Sequence, residues 1–183
     1  MRAAKDTGLL IIDMISSWDF PDADKLLPGV RNIVDNISSL KARCRRTGVP
    51  VIYANDNRGR WRSNFPELVQ RSLDAGKVAA AITHALMPDP DDYFVLKPSQ
   101  SAFFATPLEL LLEHLKLRRI VIVGVASDQC VLGTALDARM RSLDAIVPRD
   151  CAATQTRARH AAVLRQFDEV HKLPTTPGAR IRF

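Results

Sequence analysis

Three features of this 183-residue chain predict an α/β fold, with a mostly parallel sheet between two layers of helices. Continuous aliphatic runs such as Leu9-Leu10-Ile11-Ile12 and Ile120-Val121-Ile122-Val123 carry no polar alternation, the pattern of strands buried on both faces. Stretches with apolar residues at helical spacing separate them, so strands and helices alternate along the chain. The main runs give way abruptly to small or polar residues at their carboxyl ends, where open α/β sheets gather their ligands.

The elements follow in order. Residues 8–14 read as the first strand, with Asp13 at its carboxyl end, and 16–25 as a polar and aromatic loop holding Trp18 and Phe20. Val30, Ile33, Val34, Ile37 and Leu40 set a helix over 28–47, stopped by Gly48. Residues 49–54 form the second strand, with Pro50 tolerable near its start. A polar loop, 55–63, projects from the same sheet edge as Asp13, and one or two short helices fill 65–81. Prolines and acids over 87–92 mark a turn into a third strand, 93–96, that ends at Lys97. Thr106-Pro107-Leu108-Glu109 reads as a capping box with Pro at the first helical position, opening a helix through His114. The run 120–123, which breaks at Gly124, is the fourth strand, and Val131, Leu132, Ala135, Leu136 and Met140 place a helix after it, with Cys130 in its first turn. A short fifth strand at 145–148, a helix over 154–167 and an edge strand at 169–172 complete a chain without internal repeats.

Length suits one domain, residues 1–183, with a sizeable core. Hydrophobic residues at 46% and charged residues at 25% are ordinary for a soluble protein, and no apolar segment is long enough to cross a membrane. The apolar stretch near the N-terminus is interrupted by Asp13 too soon for a signal peptide. Cys44, Cys130 and Cys151 lie far apart without metal-type spacing, which disfavours a disulfide framework and predicts a reducing, cytoplasmic setting. A net charge of +6 raises nucleic-acid binding, but the cations are dispersed and no binding motif accompanies them. Lys41, Arg43, Arg45 and Arg46 cluster at a helix end, where they complement the dipole on a solvated surface.

Three strands end in, or lead straight to, a chemically useful residue: Asp13, Lys97 and Cys130. Singly, each has a bland reading, as a turn cap, a surface cation and a small core thiol. A parallel sheet brings all three to one edge, which those readings do not explain. A thiol with pKa near ~8.5 is activated by a neighbouring cation or a helix N-terminus, roles open to Lys97 and to the helix after Cys130. Asp13 is placed to take the thiol proton, return it to a leaving amine and activate water.

Leu10-Ile11-Ile12-Asp13-Met14, residues 97–104 from Lys97-Pro98-Ser99 to Phe104, and Gly124-Val125-Ala126-Ser127-Asp128-Gln129-Cys130-Val131 resemble, in order, the isochorismatase-like cysteine hydrolases. The resemblance implies a Rossmann-like, three-layer fold with about six mostly parallel strands and a Cys130–Asp13–Lys97 triad. It also implies a cis peptide at Val125–Ala126, aiming the Ala126 N–H with that of Cys130 at a developing oxyanion. The family's nicotinamidases carry an Asp-x-His pair and a further histidine that bind a divalent ion. Here the corresponding residues are Asn55-Asp56-Asn57, so neither a metal nor another cofactor is expected. His84, His114, His160 and His171 are scattered, and His114 and His160 take surface or packing roles on helices.

The family's amidases use the cysteine to form a thioester, whereas its vinyl-ether hydrolases can lack it. Cys130 therefore favours cleavage of a C–N bond in a small amide, ureido or carbamoyl compound. Vinyl-ether hydrolysis by Asp13 and Lys97 stays as the alternative reaction, and a non-catalytic binding module as another class. A thiol redox protein is disfavoured because no second cysteine lies near Cys130. Trp18, Phe20, Trp61 and Phe103 are candidates to stack on a planar substrate, and Asn55, Asn57 and Arg62 to orient polar or anionic groups. Related proteins assemble as homodimers or homotetramers, so the expected partners are a small-molecule substrate and further copies of the chain, not nucleic acid or membrane.

Overall fold

A computed structural model describes residues 6–57, 59, 61 and 64–183. Six strands form one parallel sheet: β1 (Thr7–Ile12), β2 (Val51–Asp56), β3 (Tyr93–Lys97), β4 (Arg119–Val125), β5 (Asp144–Ile146) and β6 (Ala152–Ala153). Their spatial order is β3-β2-β1-β4-β5, with β6 paired to the carboxyl end of β4 beyond the short β5. The central strands β1 and β4 are buried almost throughout, as their unbroken aliphatic runs require. Register places Ile12 beside Ala54 on one side and Gly124 on the other. The residues that follow these positions therefore emerge together at one edge.

Helices α1 (Ala23–Thr47), α2 (Phe65–Asp74), α3 (Lys77–Ala85), α4 (Leu108–His114), α5 (Cys130–Met140) and α6 (Arg157–Arg165) cover the two faces. One core unites Leu9, Ile11, Tyr53 and Val123 with α1, α2 and α3. The other unites Leu10, Ile12, Ala54 and Ile122 with α4, α5 and α6. Among the described residues, no helix is long and apolar enough to cross a membrane.

Several boundaries differ from those expected. Helix α1 starts at Ala23, and Pro28 lies inside it. Burial of Ala23 and Leu26 on the same face as Val30 and Ile33 outweighs the hydrogen bond that proline withholds. The capping box forms only in part: Thr106 Oγ1 accepts the Leu108 N–H at 3.2 Å, while Glu109 pairs with Arg141 at 2.8 Å. The edge strand expected at 169–172 is instead a helical continuation of α6, with Gln166–Val170 in a π turn. Backbone N–H groups of His171 and Leu173 cap it by donating to Gln166 O and Phe167 O. The basic cluster is also less solvated than its charge suggested. Lys41 is buried beside Asp92 at 3.3 Å, and Arg43 donates to Gly178 O and Ile181 O, tying the C-terminal segment to α1.

Candidate active site

Asp13, the residue after β1, adopts a left-handed conformation (φ 54°), which aspartate tolerates better than most residues. Its backbone N–H still donates to Ala54 O at 2.9 Å, while its side chain turns between β2 and β3. Oδ1 accepts the Asp56 N–H at 2.8 Å, and Oδ2 lies 2.8 Å from Lys97 Nζ. Lys97 ends β3 opposite Asp56 and is fully buried. Its ammonium also donates to Ser99 O at 3.2 Å and reaches Cys130 Sγ at 3.3 Å. Cys130 opens α5, where first-turn N–H groups have no acceptor within the helix.

The segment between β4 and α5 is fixed from several sides. Gly124 has φ 112°, and a Cβ there would meet Ile12 O at 2.1 Å, so only glycine lets β4 close on β1 before the turn. The Val125–Ala126 peptide that follows is cis. Ser127 N–H donates to Ala153 O at 2.8 Å, and Asp128 accepts from Thr154 and Arg159, each at 2.6 Å. His160 Nε2 lies 3.1 Å from Arg149 O and Nδ1 lies 3.0 Å from Ser127 Oγ. A carbonyl can only accept, so the proton sits on Nε2 and His160 acts as a packed brace.

Electrostatics make Cys130 a protonated thiol at rest. Burial pushes it up and the Asp13 charge adds to that, while Lys97 pulls it down; the result stands at about 12. This departs from the expectation of a thiolate held ready by Lys97 and the helix terminus. The lysine's charge is already engaged by Asp13, and burial of the sulfur disfavours its anionic form. Burial works against the charge of Lys97 itself, but Asp13 and Cys130 outweigh it and raise it above the ordinary lysine value. Lys97 is therefore a permanent cation.

A cavity of about 630 Å³ opens over Asp13 and Cys130. The expected residues Trp18, Phe20, Asn55, Asn57, Val125 and Ala126 line it. Asn57 is partly engaged, since its Oδ1 accepts the Gly59 N–H at 2.9 Å. Phe103 does not reach the cavity: it packs in the opposite core, with the Arg141 guanidinium 4.7 Å from its ring. Trp61 stands in solvent on the loop after β2, away from the cavity, and Arg62 lies outside the described residues. Sequence reasoning missed Glu67, Leu68 and Arg71 of α2, together with Gln129 and Gln155, all of which line the wall. The amphipathic pattern of α2 was the available signal, but it does not reveal what its polar side faces.

The side chains of Asn55 and Asn57 are engaged within the chain. Asn55 donates Nδ2 to Ile15 O at 2.8 Å, Asn57 spends its oxygen on a turn, and no group of three or more metal-ligating side chains occurs among the described residues.

Comparison with known proteins agrees with this architecture. The family model for the isochorismatase domain matches residues 7–176. An uncharacterised isochorismatase family protein of Bacillus subtilis is 36% identical over 165 residues, covering 90% of each chain. Maleamate amidohydrolase of Pseudomonas putida is 29% identical over 169 residues, covering 88% of this chain and 78% of the relative. An isochorismatase-like hydrolase from Alkaliphilus metalliredigens superposes with a TM-score of 0.77 at 21% identity over 98% of this chain and 96% of its own, a likeness of fold. With a match running from the first residue of β1 to beyond α6, and a parallel six-stranded sheet of the same kind, the chain belongs to the isochorismatase family of hydrolases.

Proposed function

We propose that the protein is a cysteine amidohydrolase, cleaving the C–N bond of a small amide or carbamoyl compound through a thioester on Cys130. One observation carries the reading: Asp13, Lys97 and Cys130, remote in sequence, meet within 2.8 and 3.3 Å of the shared lysine ammonium below the cavity. The match to maleamate amidohydrolase adds support for an amide substrate.

Because the thiol is protonated at rest, attack and deprotonation occur together. Asp13 takes the Sγ proton as sulfur bonds to the carbonyl carbon, and the C=O electrons move onto oxygen. The N–H groups of Ala126 and Cys130, beside the nucleophile, serve that oxyanion; one such donor is worth roughly 3–4 kcal/mol in related chemistry. Collapse of the tetrahedral species breaks the C–N bond, and Asp13 returns the proton to the departing nitrogen. Water then attacks the thioester with Asp13 again as base, the C–S bond breaks, and the thiol recovers its proton. Lys97 balances negative charge throughout without exchanging a proton.

The test is product release from maleamate, N-carbamoylsarcosine and isochorismate by the wild type beside Cys130→Ala. Ammonia released from an amide should fall by at least about three orders of magnitude when the thiol is removed. Amide hydrolysis that survives Cys130→Ala at near wild-type rate would sink the thioester mechanism. Turnover of isochorismate alone, indifferent to the thiol, would assign the vinyl-ether reaction instead.

A further inference from the structure

Among the described residues that line the cavity, two carry a buried polar atom without a hydrogen-bond partner, Trp18 Nε1 and Asn55 Oδ1. Both residues line the cavity, at 8% and 2% exposure. Buried polar atoms are nearly always paired in folded proteins, and an orphan on a residue of a cavity wall points to a partner from outside the chain.

The hydrogen-bonding sense of each atom is fixed. Asn55 Nδ2 donates to Ile15 O at 2.8 Å. Turning the amide over would set its oxygen against that carbonyl, so the free atom is the oxygen, which only accepts. An indole N–H only donates. Both groups are also held in place. Asn55 sits in β2, one residue beyond the Ile12–Ala54 register that delivers Asp13 to the same edge. The Trp18 backbone N–H donates to Ser16 Oγ at 3.1 Å, and Ser16 O accepts in turn from Ser72 Oγ of α2 at 2.7 Å.

We propose that Asn55 and Trp18 set the substrate class: Asn55 Oδ1 accepts from the N–H of an amide or ureido substrate, and Trp18 Nε1 donates to a second oxygen of the same molecule. The cavity would thereby select compounds carrying both groups over their ester and ether counterparts. In an ester the alkoxy oxygen would face Asn55 Oδ1 with lone pair against lone pair. Sites built to bind a substrate N–H reject the analogue lacking it strongly, because their own buried group is left unpaired. The proposal rests on the amidohydrolase reading in setting the scissile carbonyl over Cys130.

Binding to the Cys130→Ala protein, measured by calorimetry, tests it without turnover. The probes are maleamate, which has both groups, and monomethyl maleate, which keeps the carboxylate and loses the N–H. Maleamate should bind at least about tenfold more tightly. Asn55→Leu in the same background, shown folded by circular dichroism, should erase that preference. Trp18→Phe keeps an aromatic ring and should weaken both probes alike, by about tenfold. Equal affinity of the two probes with Asn55 intact, or no binding of maleamate, overturns the proposal without needing the Asn55 variant to fold. Failure of the amidohydrolase reading has a different signature: the wild type leaves maleamate uncleaved while the binding preference persists.

Discussion

Asp13→Asn should make Cys130 more reactive toward an external electrophile while hydrolysis collapses. Asparagine is nearly isosteric, tolerates φ 54°, and keeps an oxygen for the Asp56 N–H. The change therefore removes one charge and one proton acceptor. At an effective dielectric of about 20, the attraction of Lys97 for a thiolate at 3.3 Å is about 5 kcal/mol, or between about 3 and 4 pKa units. In the wild type that pull is more than offset by burial and by Asp13, leaving the thiol at about 12. With Asp13 neutral, burial opposes Lys97 with much less help, and the thiol falls by about two units, the usual scale for one neighbouring charge. The thiolate fraction at pH 8 then rises about 100-fold, and the lower nucleophilicity of a less basic thiolate trims the gain in iodoacetamide labelling to about tenfold. Hydrolysis loses its general base and falls about 10²- to 10⁴-fold. The assay is pH-dependent labelling read by mass spectrometry at Cys130, with Cys44 and Cys151 fully buried and silent. Losing the partner of a buried lysine destabilises by about 3–5 kcal/mol, so labelling is compared where circular dichroism shows both proteins folded. Labelling that is unchanged or slower in Asp13→Asn would refute the electrostatic reasoning. So would a wild-type profile that already reaches its plateau near pH 7.

Other expectations follow from the same structure. Lys97→Met removes the one influence of these three that lowers the Cys130 thiol, so labelling should need a still higher pH; an unchanged profile would take Lys97 out of thiol activation. Gly124→Ala forces a Cβ to 2.1 Å from Ile12 O at φ 112°, and should cost at least about 3 kcal/mol in urea unfolding or prevent folding. Folded Cys44 and Cys130 thiols stand at about 12 against an unfolded value of 9.0, and Cys151 is raised as well. Raised folded values mean the stabilising contribution is complete below pH 9 and is lost as pH climbs toward 12. Each thiol adds a slope of about 1.4 kcal/mol per pH unit. Cys44→Ala should flatten that alkaline slope by one thiol's share; an identical slope in both proteins would contradict it.

Asp13, Lys97 and Cys130 were legible because each stands at, or just beyond, the end of a strand that reads clearly as buried, and parallel register does the rest. Phe103 shows where such reasoning stops. It follows Lys97 in a loop at the correct edge, but loop position does not say which sheet face a ring turns to, and the apolar surface beneath Arg141 claimed it. The sixth strand was hidden for another reason. Ala152–Ala153 is a two-residue ladder against Gly124 and Val125, too short for any periodicity, whereas residues 169–172, expected as the edge strand, lie in the helical continuation of α6 and its cap. Glu67 and Arg71 fall in the stretch 65–81, expected only as one or two short helices, and tertiary packing turns them toward the cavity. The resting state of the thiol depends on the net of burial, Asp13 and Lys97, and a sequence does not weigh those against one another.

The position of Lys97 makes most sense as a counter-charge for a moving negative charge. A fully buried lysine is poor currency for stability, since its desolvation consumes most of what its ion pair returns. In the proposed cycle the negative charge rests on Asp13, 2.8 Å from the ammonium, and then passes toward sulfur, 3.3 Å away. At an effective dielectric of about 20, the two positions differ in Lys97 attraction by only about 1 kcal/mol. The proton can thus cross from Cys130 to Asp13 with little loss of attraction to the cation, and the barrier that remains comes chiefly from burying charge on sulfur. A concerted attack avoids much of that barrier, because the electron pair goes onto the carbonyl oxygen as the proton leaves. A pKa near 12, which would be a defect in a nucleophile that must ionise before it reacts, is compatible with one that never holds a free charge.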